Sequence, residues 1–281
     1  MKVLVIGATG RLGRDVCSAL EARGIEHRGI GSSQLDITNR DAVCDYLTNA
    51  YPADVVILTA ALVGLEKLDA DPDRAYLVNS TGPKWVAEAC RQTGATLLFI
   101  STDYVFSGEA GRPYTEEDTP DAVNVYGKTK ILAENYITST LEKYFILRIA
   151  WIFSDKGNDY VGSVVNAVEK GEAFPAIMVR NANPTYTRDI ADRICEFIQT
   201  DAYGLYHVVS KGDCTQESLC EEVMRLMQKK IELLPQILPP GSVDRPKDTR
   251  LSTQKMCDAG FTPMPTWQDA VKRCLTNRGI I

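Results

Sequence analysis

The first half of the chain alternates short β-branched and aliphatic runs with longer stretches in which apolar residues return every three or four positions. The runs Lys2–Ile6, His27–Ile30, Asp54–Leu58, Thr96–Ile100 and Phe145–Ile149 read as strands. Between them, Arg11–Arg23, Asn39–Asn49, Asp73–Thr93 and Tyr126–Tyr144 read as helices, with Gly24 and Gly94 as stops and Thr38 ahead of the second. Continuously apolar strands between helices need cover on both faces. That pattern predicts an α/β fold, a doubly wound parallel sheet of the Rossmann type. Beyond Trp151 the alternation loosens and prolines gather at 184, 235, 239, 240, 246, 263 and 265. Helices are expected there at Gly162–Lys170, Arg188–Gln199, Gln216–Lys229 and Thr266–Leu275, with a strand at Leu205–Val209. The expected organisation is a dinucleotide-binding domain over residues 1–150. A smaller, loop-rich substrate-binding lobe follows over 151–281, with segments that return to the sheet.

Composition narrows the function classes. Apolar residues at 44% and charged residues at 24% are ordinary globular usage and argue against disorder. A net charge of −6 without a dense Lys/Arg block disfavours a nucleic-acid partner. No apolar run approaches membrane-spanning length, so no membrane partner is expected either. The eight cysteines are scattered without a CxxC pair, which points to reduced thiols in the cytoplasm. With only His27 and His207 available, no metal site and no Ser-His-Asp triad is expected. Asn79-Ser80-Thr81 is formally a glycosylation sequon, without meaning in an intracellular protein. Oligomeric state stays open, a homodimer among the options.

Gly7-Ala8-Thr9-Gly10-Arg11-Leu12-Gly13 follows the first strand and opens the first helix. Gly7 permits the tight turn, Gly10 lets the backbone approach a pyrophosphate, and Gly13 lets helix and strand pack closely. The anion then rests on unpaired amides at the positive end of the helix dipole. The GxxGxxG spacing points to the short-chain dehydrogenase branch. A ribose-binding acid is expected about 20 residues further on, but Gly29-Ile30-Gly31-Ser32-Ser33 holds none before Asp36. Neutral hydroxyls, with Arg11 and Arg28 nearby, suit a 2′-phosphate and favour NADPH. In the alternative, Asp36 reaches the ribose and NADH serves.

Tyr126 and Lys130 stand four residues apart on the long helix and so share one face. A cation one turn away favours the phenolate and lowers the phenol pKa toward the working range. Thr102 follows the fourth strand, at the carboxyl edge where ligands bind in this fold, with a hydroxyl for the substrate carbonyl.

Thr102-Asp103-Tyr104-Val105-Phe106-Ser107-Gly108, Val125-Tyr126-Gly127-Lys128-Thr129-Lys130 and Pro184-Thr185-Tyr186-Thr187-Arg188-Asp189 resemble the dTDP-4-dehydrorhamnose reductases. The resemblance runs from the glycine loop to Arg245-Pro246. It implies an extended short-chain dehydrogenase that reduces the 4-keto group of a deoxysugar nucleotide with NAD(P)H, in dTDP-rhamnose biosynthesis. It further implies Thr102, Tyr126 and Lys130 as the catalytic trio, Tyr126 and Lys130 also meeting the cofactor. Gly7, Thr9, Gly10, Arg11 and Leu12 would meet the pyrophosphate, Asp36 and Ile37 the adenosine, and Ala60 and Ala61 the nicotinamide side. Asp103 and Trp151 would touch the sugar nucleotide, although Trp151 also reads as a core aromatic. The chain departs from the family's pattern at Val63, where a polar contact is lost, and at Val179-Arg180-Asn181-Ala182-Asn183. A dehydratase is disfavoured, because Tyr104 stands where its second acid belongs. An epimerase uses the same trio and stays open. So does an NADP-binding regulatory subunit resembling methionine adenosyltransferase β.

Overall fold

The computed structural model describes residues 1–177, 181–236, 239 and 241–281. Val179, Arg180 and Pro240 lie outside the described residues, so the departure ahead of Pro184 is described only from Asn181 onward. The first half runs β1 (Lys2–Ile6), α1 (Arg11–Ala22), β2 (Glu26–Ile30), α2 (Arg40–Asp45), β3 (Val55–Leu58) and α3 (Leu65–Ala70). It continues through α4 (Pro72–Tyr76), α5 (Gly82–Thr93), β4 (Thr96–Thr102), α6 (Val125–Thr140) and β5 (Tyr144–Ile149). After it come α7 (Tyr160–Lys170), α8 (Thr187–Phe197), β6 (Gly204–His207), α9 (Gln216–Met227) and α10 (Trp267–Asn277), with short strand pairs between.

Six parallel strands form one sheet in the order β6-β5-β4-β3-β1-β2. Successive residues of each strand enter opposite cores, as the pleat requires. Val3, Val5 and Ile57 pack with Leu12, Val16, Ile190 and Phe197 from α1 and α8. Leu4, Ile6, Val56 and Leu58 pack with Val43, Val86, Cys90 and Ile137 from α2, α5 and α6. This is the doubly wound sheet expected from the continuously apolar runs. The order reverses at β1, with β2 on one side and β3 on the other. Ligand crevices open beyond the carboxyl ends of the strands at such a point. Residues 151–281 build a second core around Phe153, Val164, Tyr186, Val223 and Trp267. They also return α8 and β6 to the sheet layers.

Three helices differ from the periodicity, and in the first of them the stretch 39–49 passes from α2 into a π-type turn at Tyr46–Ala50. The stretch 73–93 is broken into α4, a wide π-type turn at Leu77–Thr81 and α5. Pro83 lacks the N–H that would bond the Asn79 carbonyl one turn back, so the turn widens there. The Asn79 side chain, fully buried, turns to the β3–α3 loop: it accepts from Leu62 N (2.8 Å) and donates to Leu62 O (3.0 Å). The long helix ends at Thr140, and Tyr144 already belongs to β5. Thr138 and Ser139 fold their hydroxyls onto the carbonyls of Asn135 and Tyr136, a local competition that weakens a helix end.

Candidate active site

A cleft of about 610 Å³ opens at the carboxyl ends of the strands. One wall is the start of α1, with Gly10, Arg11, Leu12 and Gly13. The floor is Thr59 and Ala61 beyond β3, Thr102 at the last position of β4, and Asp103 and Tyr104 just after it. Tyr126 and Lys130 of α6 close one side, and Trp151 with Asn158, Asp159, Tyr160 and Ser163 closes the other.

The glycines divide the work of the first loop. Gly7 has φ +96°, and a β-carbon there would lie 2.5 Å from Ala60 N. At Gly13 a β-carbon would lie 2.2 Å from the carbonyl oxygen of Gly7, so helix and strand could not close. At Gly10 the nearest atom would be that same oxygen at 3.2 Å, and the space beyond is the cleft. Gly10 caps α1 with no side-chain bond, and no acid stands in the first turn. The amides and the positive dipole end are thus left for an anion.

Other residues expected at a cofactor lie back from the cleft. Thr9 packs its side chain under Gly31, and Ile37 is buried against Gly82. Asp36 is exposed and accepts from Thr38 N (2.9 Å) and Thr38 Oγ1 (2.8 Å), bonds that lower its carboxyl pKa. The Arg28 guanidinium stacks on the Tyr51 ring, 4.4 Å from its centroid.

Tyr126 stands on the first turn of α6, and that turn is fixed from three directions. The Asn124 side chain caps it by accepting from Gly127 N (2.9 Å) and donates to Asp244 O (3.0 Å). Ser80 Oγ donates to Thr129 O (2.8 Å). Gly127 presses its backbone on the turn after β4, where a β-carbon would sit 2.0 Å from Tyr104 O. The Tyr126 ring meets Tyr104 edge-on, with centroids 6.0 Å apart. Its phenol faces the hydroxyl of Thr102. Thr102 Oγ1 donates to Asp103 Oδ1 (3.0 Å) and accepts from Tyr104 N (3.2 Å), while Thr249 donates to Asp103 Oδ2 (2.6 Å). Burial raises the phenol pKa, the Asp103 carboxylate and Tyr104 raise it further, and the Thr102 hydroxyl pulls it back. The phenol therefore holds its proton.

That overturns the expected electrostatics of the helix pair. Lys130 is buried, its Nζ 4.0 Å from the centroid of Phe99, and it is not among the groups that move the phenol. Desolvation brings Lys130 itself down to about 7, with Glu134 pushing it back up.

Trp151 is half-buried at φ 41°, a backbone region that bulky residues adopt at a cost of about 1–3 kcal/mol. Its ring leans on Tyr160 at 5.4 Å, so it both lines the cleft and packs on the second core. Asn158, Asp159, Tyr160 and Ser163 were not anticipated. Asp159 caps α7 by accepting from Gly162 N (2.9 Å), a cap visible as Asp ahead of an apolar run. Nothing local says that this helix start faces the cleft.

Comparison with known proteins agrees with the geometry. The family model described as RmlD substrate binding domain matches residues 1–279. A dTDP-4-dehydrorhamnose reductase of Streptomyces griseus is 32% identical over 277 residues, covering 95% of this chain and 91% of that protein. The crystal structure of a dTDP-4-dehydrorhamnose reductase ortholog from Clostridium acetobutylicum superposes with a TM-score of 0.94 at 33% identity. It covers 98% of this chain and 99% of that one. The Bacillus anthracis dTDP-4-dehydrorhamnose reductase, solved in complex with NADP, gives a TM-score of 0.93 at 29% identity, covering 98% and 97%.

Proposed function

Because the chain belongs to the dTDP-4-dehydrorhamnose reductase family, we propose that it reduces the 4-keto group of a deoxysugar nucleotide with NADPH. The observation that carries this reading is the meeting of the Tyr126 phenol with Thr102 in a cleft that the open Gly10 turn also lines. The residues fit a dinucleotide: Gly10, Arg11 and Leu12 would hold its pyrophosphate on the uncapped helix start, and Lys130 its ribose. When bound, NADPH supplies the hydride. A relative solved with NADP supports the phosphorylated cofactor, and exposed Ser32 and Ser33 after β2 leave a 2′-phosphate unopposed by a carboxylate before Asp36.

Tyr126 is the proton donor. A carbonyl that gains a hydride becomes an alkoxide, and the oxygen must be protonated as its charge develops. With its pKa raised, the phenol holds its proton at neutral pH, and an alkoxide is a stronger base than a phenolate, so the transfer runs from Tyr126 to the new oxygen. Thr102 steadies the same oxygen by a hydrogen bond. Asp103 and Trp151 hold the sugar nucleotide, Trp151 by its ring on the cleft wall. The eight free thiols fit a cytoplasmic setting.

The test is NADPH oxidation by the purified chain with dTDP-4-dehydrorhamnose, beside isothermal titration with NADPH and NADH. Turnover and tighter NADPH binding are expected. NADPH binding without turnover of any keto-sugar nucleotide would move the chain to the regulatory-subunit reading. Equal or reversed cofactor affinities would overturn the choice of NADPH.

A further inference from the structure

Glu134 follows Lys130 by one turn of α6 and is buried at 4% exposure. Its Oε1 accepts from Ser101 Oγ (2.5 Å) and Arg148 Nε (3.0 Å), and its Oε2 from Arg148 Nη2 (2.6 Å). Ser101 directly precedes Thr102 on β4, and Arg148 is its register partner on β5. A single carboxylate thus fastens the helix that carries Tyr126 and Lys130 to the strand end that carries Thr102. It is also the ion-pair partner of the buried Arg148, and the buried Lys130 stands one turn before it on the same face of α6. Rings flank both cations: Arg148 lies 5.0 Å from the centroid of Phe106 and Lys130 lies 4.0 Å from that of Phe99.

We propose that Glu134 is a positioning residue for the reduction, setting the place of Tyr126 and Lys130 against Thr102 and serving as the counter-charge of Lys130; the proposal rests on the function given above. Side chains four apart on a helix are neighbours, and opposite charges at that range strengthen each other's ionised form. Lys130 is accordingly held near 7 against the pull of burial, with Glu134 the group that raises it. Beyond Ser101 and Arg148, the titratable groups facing this network are His207 of β6 and Glu116. Burial and Arg148 keep His207 neutral, and Glu116 accepts from His207 N (2.8 Å). Neither offers Lys130 a second counter-charge.

The experiment follows the Lys130 side chain directly. Carbon-13 labelled lysine is titrated by NMR between about pH 5 and 10, with Lys130 assigned by its loss in Lys130→Met. Parent, Glu134→Gln and Arg148→Met are compared, with kcat, KM and NADPH affinity measured on each. Glu134→Gln should weaken proton binding at Lys130 about tenfold or more. It should also lower kcat at least tenfold with little change in KM, and displace the pH–rate profile. Arg148→Met leaves Glu134 to Lys130 alone and should move the titration the other way. Breaking a buried pair can unfold a chain. If Glu134→Gln does not fold, the charge-balanced Glu134→Gln/Arg148→Met is read in its place, with the same weakening expected. An unmoved Lys130 titration overturns the proposal, and so does a shifted titration with kcat and pH profile intact. A parent inert toward every keto-sugar nucleotide overturns the function instead, and the lysine titration still decides whether Glu134 holds the charge.

Discussion

At the scale of single residues, the site separates the group that gives a proton from the groups that hold the oxygen. Tyr126→Phe removes one oxygen from a ring whose packing against Tyr104 is kept. Reduction should fall about 10²–10⁴-fold, the usual worth of general acid catalysis, while NADPH binding by titration stays nearly intact. A Phe variant that turns over at the parent rate would show that the proton comes from elsewhere. Thr102→Val should cost less activity, since the proton source remains. It also removes the two hydrogen bonds of the Thr102 hydroxyl, to Asp103 Oδ1 and from Tyr104 N, about 1–3 kcal/mol of stability together. Rates must therefore be compared well below the melting point, and Thr102→Ser should recover both activity and stability.

At the scale of elements, α6 works because it sits against bare backbone. Gly127→Ala adds a β-carbon 2.0 Å from Tyr104 O, where no side chain can move aside. Alanine favours a helix by about 1 kcal/mol over glycine, yet overpacking a tight contact costs about 1–3 kcal/mol or more. The balance should be a lower melting temperature together with a drop in kcat, as the first turn lifts Tyr126 from Thr102. A variant as stable and active as the parent would mean that the helix has slack. The strands and the YGKTK helix start were legible in the sequence, because apolar period and glycine placement are local signals. What stayed illegible is decided across the chain. The π-type turn at Leu77–Thr81 depends on Pro83 and on a loop that claims Asn79. The stacking of Arg28 on Tyr51 likewise joins distant parts of the chain and leaves no local signal. The i+4 step from Lys130 to Glu134 was readable, but not that Ser101 and Arg148 converge on it.

At the scale of the whole molecule, acid should loosen the fold through one buried ring. His207 is fully buried on the edge strand β6, its Nδ1 bonded to Ser252 O (3.2 Å) and its Nε2 without a hydrogen-bond partner among the described residues. Burial first, and then Arg148, lower its pKa from 6.5 to about 3. The folded chain keeps the ring neutral while the unfolded chain takes up a proton near 6.5. Stability present above 6.5 is therefore lost as pH falls toward 3, by about 3 kcal/mol at pH 4. Glu116 acts in the opposite sense, since burial raises its pKa and acid protonates it more readily in the fold. Melting curves of the parent and His207→Leu between pH 7 and 4 isolate the ring: the parent should lose more, and equal losses would place the acid sensitivity elsewhere. The distribution of indoles across the molecule has a practical consequence. Trp267 is sealed in the second core and Trp85 is covered by Arg40 and Lys84 on the far side of the sheet, whereas Trp151 looks into the cleft. Emission from that one indole is exposed to whatever enters, and a reduced nicotinamide absorbs where indole emits. Intrinsic fluorescence of the unlabelled chain thus becomes a meter of occupancy, with Trp151→Phe as its blank.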